Sequence, residues 1–144
     1  MALYDSRVIC EYLDGLHDGP PMFPPAGPAR WTALRRQAEG DGMLDAAILA
    51  RYETFVRPEA RRFDDWTANQ KLKVGRALDA LETEAASLGD AVDIGTITIG
   101  CALGYLDFRF ADDGWRNGRP GLAAWYETFG ARPSMAATVP REIW

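Results

Sequence analysis

The positions of the apolar residues along the chain predict a series of amphipathic helices. The first runs from Ser6 to about Leu16, with its apolar residues on one helical face. That face consists of Val8, Ile9, Tyr12, Leu13 and Leu16. A proline-rich segment over residues 19–28 follows, and neither a helix nor a central strand tolerates this density of proline. We therefore expect a stiff linker there, which is also the clearest boundary in the chain.

A second helical pattern runs from Ala29 to about Val56, and Pro58 ends or kinks it. Its apparent inward stripe mixes apolar residues with two acids. The stripe consists of Leu34, Ala38, Asp41, Asp45, Ile48, Tyr52 and Phe55. Like charges one turn apart repel by a few tenths of a kcal/mol, and burial increases that cost. Either the stripe faces a polar cleft, or the helix is rotated slightly and both acids are solvated; the second alternative is the commoner one.

A third helix is predicted from a regular spacing of apolar residues by four and three positions, which is typical of a helix packed along a neighbour. These residues are Val74, Leu78, Leu81, Ala85 and Leu88. Gly89 is expected to end the helix. A shorter amphipathic helix is predicted further along, around Leu122, Trp125, Tyr126 and Phe129, and a last turn begins at Arg132.

The segment GDAVDIGTITIGCALGYLDFRF, residues 89–110, gives conflicting signals. TITIG alternates β-branched residues like a strand. However, no helix breaker follows for longer than a typical strand, and Asp90 and Asp93 have the spacing of an N-cap and the third helical position. We predict a buried helix capped by Asp90, with Gly100 and Gly104 allowing neighbouring helices to approach closely. The chain is thus expected to be all-α, a bundle of five to six helices.

Composition narrows the class of protein. The chain of 144 residues is 47% hydrophobic and 26% charged, as in a soluble globular domain, and its net charge of −5 argues against a nucleic-acid partner. Cys10 and Cys101 are too few for a disulfide scaffold, and buried free thiols are expected, which fits a cytoplasmic location. No signal peptide is expected, and no apolar segment is long enough to cross a membrane.

Candidate chemistry is sparse. The single histidine, His17, and the two cysteines provide too few ligands for a metal site and too few bases for a catalytic triad, so we expect His17 to be solvated. Ser6 is a good N-cap for the first helix, and a helix N-terminus also attracts carboxylates and phosphates. Asp5 beside it could receive an amine, and the pair would then suit an amino-acid head group. Taken alone, capping is the commoner role.

Several segments together resemble the glutathione S-transferase family. LYDSRVICEYLD is similar to the last helix of that family's thioredoxin-like domain, where an acidic residue followed by Ser holds the γ-glutamyl end of glutathione. The acid is Asp, as in the bacterial YibF-like subgroup. A proline-rich linker, two long helices, the 89–110 segment and the closing Trp-Tyr and Arg-Pro-Ser motifs within LAAWYETFGARPSMAATVP follow in the family's order.

The resemblance implies a homodimeric cytoplasmic transferase in which the glutathione thiolate attacks a small hydrophobic electrophile. By position, Asp5 and Ser6 would bind glutathione, the co-substrate, with no further cofactor, metal, nucleic acid or membrane involved. The stripe around Asp41, Leu44, Asp45 and Ile48 would border the second-substrate cleft. Asp90 and Asp93 would be structural capping residues. The corresponding domains are 1–18 (the end of a thioredoxin-like domain), 19–28 (the linker) and 29–144 (the helical domain).

One departure from the family is large. The first βαβ unit, with the residue that activates the glutathione thiol, has no counterpart in the sequence, which indicates a fragment or a truncation. We therefore expect no catalytic residue here, and no activity from the chain alone. The alternative is a non-catalytic helical module that binds a hydrophobic ligand, a protein or a second copy of itself.

Overall fold

The computed structural model describes residues 1–142, which form six α-helices and contain no strand. The helices are α1 (Ser6–Asp14), α2 (Gly27–Arg51), α3 (Asp64–Leu88), α4 (Ile94–Arg109), α5 (Pro120–Gly130) and α6 (Pro133–Ala137). A π-helical turn, Tyr52–Val56, extends α2, and 3-10 turns lie at Glu59–Arg61 and Ala111–Asp113. The predicted all-α bundle is confirmed. Over the described residues, no helix combines the length and the hydrophobicity that a membrane crossing requires.

Helix α4 is the centre of the core, as its apolar composition predicts. Nine of its 16 residues are buried. It packs along α2 in the same direction, because Gly95 lies against Ala33 and Thr98 lies against Gly40. A Cβ on Gly95 would be 2.6 Å from the Ala33 carbonyl oxygen, so only glycine permits this approach.

The opposite side of α4 packs against α5, and here too glycines make the contact possible. A Cβ on Gly100 would lie 2.9 Å from the Phe129 ring, and one on Gly104 would lie 2.9 Å from the Tyr126 hydroxyl. The predicted role of these glycines is confirmed. The propensity lost in α4 is compensated by packing against aromatic rings.

Polar side chains tie α3 to its neighbours. Arg36 of α2 is 5% exposed and donates to the Ser87 hydroxyl at 2.7 Å. Glu82 of α3 accepts from the backbone amides of Gly121 and Leu122 at 3.0 and 2.7 Å. The start of α5 therefore takes its cap from another helix, which positions α5 over α4.

The N-cap of α4 is Asp93, and the prediction that Asp90 caps it is wrong. Asp93 has extended backbone, and its carboxylate accepts from the Thr96 amide at 2.9 Å. The Thr96 hydroxyl accepts from the Asp93 amide at 3.0 Å, which completes a capping box. Thr96 is therefore the third-position residue of the capping box. The sequence had predicted Asp93 in that role, with Asp90 as the N-cap. Asp90 is exposed and precedes the helix.

The N-cap of α1 is Asp5 rather than the predicted Ser6. The Asp5 backbone is extended and its carboxylate accepts from the Arg7 amide at 3.3 Å, so Ser6 becomes the first helical residue. Similarly, α2 begins at Gly27 instead of Ala29 because Pro28 fits the first helical turn, where no amide donor is needed. Helix α3 starts at Asp64, earlier than its apolar spacing indicated. Gly89 follows its last residue with a positive φ of 52°.

The buried face of α2 is offset by one residue from the stripe that the sequence indicated. The buried residues are Ala33, Arg36, Gln37, Gly40, Met43, Ala46, Ala47 and Ala50. Five of these eight residues are small, which lets α4 lie close, and a hydrophobicity pattern gives small residues little weight. Of the two acids on the predicted stripe, Asp45 is exposed and Asp41 is half-buried. The rotated-helix alternative is therefore the correct one for Asp45.

The end of α2 is held by a buried acid. Glu53 in the π-helical turn is 5% exposed and accepts from the Phe63 amide at 2.8 Å and from Arg57 Nε at 2.7 Å. The Phe63 amide is the main reason why the pKa of Glu53 lies below its ordinary value. This carboxylate fixes the path of the connector between α2 and α3.

Candidate functional site

Helix α1 brings the two predicted glutathione-binding residues next to α2. Asp5 and Ser6 are both exposed at the start of α1. The following residue, Arg7, donates from Nε to the Asp41 carboxylate at 2.6 Å. The structure thus joins the Asp5–Ser6 pair, through Arg7, to one of the residues predicted to border the second-substrate cleft. The sequence alone did not indicate this ion pair.

The apolar face of α1 is uncovered. No residue of α1 is buried, and the side of the helix that carries the predicted apolar stripe is exposed. The exposed fractions are 48% for Val8, 37% for Ile9, 53% for Tyr12, 54% for Leu13 and 63% for Leu16. Apolar surface that is exposed in this way marks an interaction site.

Polar contacts, together with the half-buried Cys10, attach α1 to the bundle. Besides the Arg7–Asp41 pair, Glu11 accepts from Arg30 at 2.7 Å. The Asp14 carboxylate accepts from the amides of Met22 and Phe23 at 2.7 and 2.9 Å. Burial raises the pKa of Asp14, but these two amides and the neighbouring His17 together lower it by more and leave the pKa below the ordinary value. The contacts fix the orientation of α1 while its apolar face stays open.

A large cleft, with a volume of about 1310 Å³, lies between α4, α5, α6 and residues 138–140. Aromatic and aliphatic side chains dominate its walls. They include Leu44, Cys101, Tyr105, Phe108, Tyr126 and Met135. Of the four residues predicted to border a second-substrate cleft, Leu44 lines this one, whereas Asp41 pairs with Arg7, Asp45 is exposed and Ile48 is half-buried.

The cleft contains polar groups that the sequence pattern did not single out. The Tyr105 hydroxyl is buried without a hydrogen-bond partner among residues 1–142. Burial raises the pKa of this hydroxyl, against the effect of the nearby Arg109 and Arg51. At the other end, Asp107 accepts from both Arg116 and Trp115.

A second, smaller cavity of about 290 Å³ lies between α2, α3 and the end of α4. Its two cations already have carboxylate partners, because Lys71 pairs with Asp113 at 2.8 Å and Arg119 pairs with Asp79 at 2.7 Å. The larger cleft is therefore the better candidate for a ligand site.

Both cysteines are free thiols, as expected, but they are less buried than expected. Cys10 is half-buried on α1, and Cys101 is exposed on the wall of the large cleft. The expected burial of Cys101 is wrong because the cleft opens beside this residue of α4.

Known proteins share the arrangement of these elements. It consists of an N-terminal helix with an exposed apolar face, a linker, and long helices that pack closely through small residues. A family model described as "Glutathione S-transferase, C-terminal domain" matches residues 64–128. The uncharacterized GST-like protein YibF of Escherichia coli (strain K12) is 36% identical over 141 residues, covering 95% of this chain and 69% of YibF.

Two solved structures are similar over nearly the whole chain. A glutathione transferase family member from Pseudomonas fluorescens Pf-5, with bound S-(propanoic acid)-glutathione, has a TM-score of 0.94 and 48% identity, over 97% of this chain and 72% of that one. A glutathione S-transferase from Methylobacillus flagellatus KT, with glutathione bound, has a TM-score of 0.90 and 33% identity, over 96% and 70%. The chain therefore belongs to the glutathione S-transferase family.

Proposed function

We propose that this chain is the helical part of a bacterial glutathione transferase, in which the glutathione thiolate attacks a small hydrophobic electrophile. The observation that carries the proposal is the uncovered apolar face of α1, which begins at the Asp5–Ser6 pair. A thioredoxin-like unit, on the same polypeptide or on another, would cover this face and supply the rest of the glutathione site. The relatives that carry glutathione or its conjugate support glutathione as the co-substrate, with no other cofactor.

Asp5 and Ser6 would bind the γ-glutamyl end of glutathione. Asp5 is exposed, and the hydrogen bond that its carboxylate accepts from the Arg7 amide is long at 3.3 Å, so the carboxylate can also accept from an amine. Ser6 is the first helical residue, where the helix dipole favours the carboxylate of the same head group. The two charges of an amino-acid head group would thus meet complementary partners.

The electrophile would lie in the large cleft, which has mainly apolar walls and Leu44 among its lining residues. Asp41, Asp45 and Ile48 would border the same region once a second domain extends the cleft beyond α2. No sequence motif places a residue of this chain to stabilise the glutathione thiolate. We therefore expect the thiol-activating residue outside this chain.

The protein would act in the cytoplasm as a homodimer. Both thiols are free, which fits a reducing compartment. Apolar side chains are also exposed at the end of α2 and beyond it, where a second copy would cover them. They include Leu49, Tyr52, Phe55, Val56 and Phe63.

The test compares the chain alone with a chimera that adds the part of the Pseudomonas fluorescens relative that this chain does not match. Conjugation of glutathione to 1-chloro-2,4-dinitrobenzene is measured for both. The chain alone should not exceed the rate in buffer, whereas the chimera should show saturation with glutathione. In the chimera, Asp5→Asn and Ser6→Ala should each raise KM for glutathione by roughly tenfold, since each removes a charge-assisted or dipole-assisted contact. Asp112→Asn, at an exposed acid far from α1, is the matched control.

Two results would contradict the proposal. Catalysis by the chain alone would place the thiol-activating group within it. A chimera that has the expected helical circular dichroism but does not bind glutathione would favour the alternative, a non-catalytic module that uses its cleft or open face for binding.

A further inference from the structure

One end of the large cleft has a buried hydroxyl without a partner. Tyr105 lies on α4 and lines the cleft, and its ring packs against Phe110 with centroids 6.2 Å apart. No group among residues 1–142 hydrogen-bonds to its hydroxyl, which is inaccessible to solvent in this structure. A buried hydroxyl without a partner is costly, so such groups are rare unless a ligand completes them.

Two arginines lie near Tyr105, although neither is among the residues that line the cleft. Arg109 is one turn after Tyr105 on α4, and its guanidinium stacks over the Phe108 ring, which lines the cleft, at 3.8 Å. Arg51 ends α2, where its guanidinium stacks over Phe55 at 3.8 Å, and no carboxylate within the described part of the chain pairs with it.

The packing of α2 against α4 places Arg51 beside Tyr105. Ala50 and Leu106, the immediate neighbours of these residues in sequence, line the same small cavity between the two helices. Both arginines also lower the pKa of the Tyr105 hydroxyl against the effect of burial, as expected for cations close to it. Two positive charges therefore lie close to one hydrogen-bond donor of the cleft wall.

A carboxylate already occupies part of this end. The C-terminal segment lines the cleft through Thr138, Val139 and Pro140, and the Glu142 carboxylate then pairs with the Arg109 guanidinium. The Glu142 side chain is 54% exposed, so the pair is at the cleft surface and a ligand can displace it.

The acids on the cleft wall do not neutralise these arginines. Asp107 is held by Arg116 through hydrogen bonds of 2.5 and 2.8 Å and by the Trp115 indole. Glu127 is on α5, which covers the opposite wall.

We propose that Arg109, Arg51 and Tyr105 form a subsite for a carboxylate, and that the second substrate is an apolar molecule with an acidic group. Glu142 occupies the subsite when no ligand is bound and must leave for the ligand to enter. The assignment of this ligand as the second substrate rests on the proposed function. The anion subsite itself needs only the residues described here.

The experiment is a titration of the chain with 4-phenylbutanoate, followed by NMR of the backbone amides, and a parallel titration with the neutral 4-phenylbutanamide. The carboxylate should bind at least several-fold more tightly than the amide, with shifts around Tyr105. Arg109→Gln should weaken carboxylate binding by roughly tenfold and leave amide binding unchanged, because it removes one charge-assisted hydrogen bond. Arg61→Gln, at an exposed arginine outside the cleft, is the matched control and should change neither affinity.

Two conservative variants test the other parts of the subsite. Tyr105→Phe should weaken carboxylate binding by a few-fold. Glu142→Gln should strengthen it by a few-fold, because the competing carboxylate is gone. The tighter carboxylate binding expected for Glu142→Gln still tests the subsite if the Arg109→Gln variant does not fold.

Equal binding of the carboxylate and the amide to the unmodified chain would overturn the proposal. So would equal effects of Arg109→Gln and Arg61→Gln, or weaker carboxylate binding after Glu142→Gln. The probe contains no thiol and the assay contains no glutathione. A chimera that fails to bind glutathione would thus overturn the proposed function but not the anion subsite. Equal binding of the carboxylate and the amide would overturn the anion subsite but not the proposed function.

Discussion

Helices α1 and α4 begin in the same way and end up in opposite environments. Each starts at an aspartate with extended backbone, Asp5 or Asp93, whose carboxylate accepts from an amide of the first turn. Nine residues of α4 are buried, whereas no residue of α1 is. Local sequence signals therefore determine where a helix starts, but they do not determine which neighbour covers its apolar face.

The same comparison separates the residues that stabilise the fold from the residues that are available to bind a partner. Side chains of α4 such as Ile99 and Leu103 are 0% exposed, so each contributes its full hydrophobic burial. Helix α1 is attached by the Arg7–Asp41 and Arg30–Glu11 pairs, whose arginines are 51% and 26% exposed. Ion pairs of this kind contribute about 0–1 kcal/mol each.

The largest expected effect comes from shortening the same residue type in the two helices. Leu103→Ala should lower the free energy of unfolding by about 2–5 kcal/mol, because it leaves a cavity in the core. Leu13→Ala, at a side chain that is 54% exposed, should change it by less than about 0.5 kcal/mol. Urea unfolding followed by circular dichroism measures both. A large cost for Leu13→Ala that disappears on dilution would instead show that a second copy covers α1.

The next effect tests the close approach of α2 and α4. Gly95→Ala should destabilise the chain by about 1–3 kcal/mol, because the added Cβ would meet the Ala33 backbone and the Arg36 Cβ. Gly42→Ala is the matched control, since Gly42 is exposed on α2 with no atom within 4 Å of an added Cβ. It should stabilise the chain by about 0.5–1 kcal/mol through helix propensity. Thermal unfolding of both variants checks the two signs, and a stable Gly95→Ala variant would contradict the close packing.

A smaller effect compares the two caps. Asp93→Ala should cost about 1–2 kcal/mol, because it removes a capping box on a helix whose first residue, Ile94, is buried. Asp5→Ala should cost less, since its bond to the Arg7 amide is 3.3 Å long and exposed to solvent. Equal losses in urea unfolding would mean that α1 is coupled to the core as tightly as α4 is.

Much of the fold follows from the sequence because the apolar spacing is regular. The spacing of Leu78, Leu81, Ala85 and Leu88 predicts the buried side of α3 correctly, and Gly89 marks its end. The helical nature of residues 94–109 is also predicted correctly. In these segments, tertiary packing and local preference agree.

The rest depends on contacts between residues that are far apart in the chain. Half of the buried residues of α2 are alanines, Gly40 makes the contact with Thr98, and small residues give no strong hydrophobic signal. The Arg7–Asp41 pair joins residues 34 positions apart, and the Arg109–Glu142 pair joins residues 33 positions apart. No local pattern predicts such pairs, so the polar end of the cleft could be found only from the structure.

The smallest expected effect is the acid sensitivity of the link between α1 and the linker. Because the pKa of Asp14 is lowered in the folded chain, its hydrogen bonds to the amides of Met22 and Phe23 stabilise the chain at pH values above the ordinary pKa of about 4. This contribution is lost as the pH falls through the lowered pKa. Hydrogen-exchange protection factors of the Met22 and Phe23 amides should therefore fall in acid, while that of Ile99 in α4 stays constant.

Two variants isolate the role of that carboxylate. Asp14→Asn should lower the protection of the Met22 and Phe23 amides at neutral pH and remove its dependence on acid, because an amide side chain does not titrate. Asp18→Asn, at an exposed acid four residues later, should behave like the unmodified chain. If the protection of Ile99 falls together with that of Met22, the link of α1 to the linker and the α4 core unfold as one cooperative unit, and the contrast between the two helices does not extend to their stability.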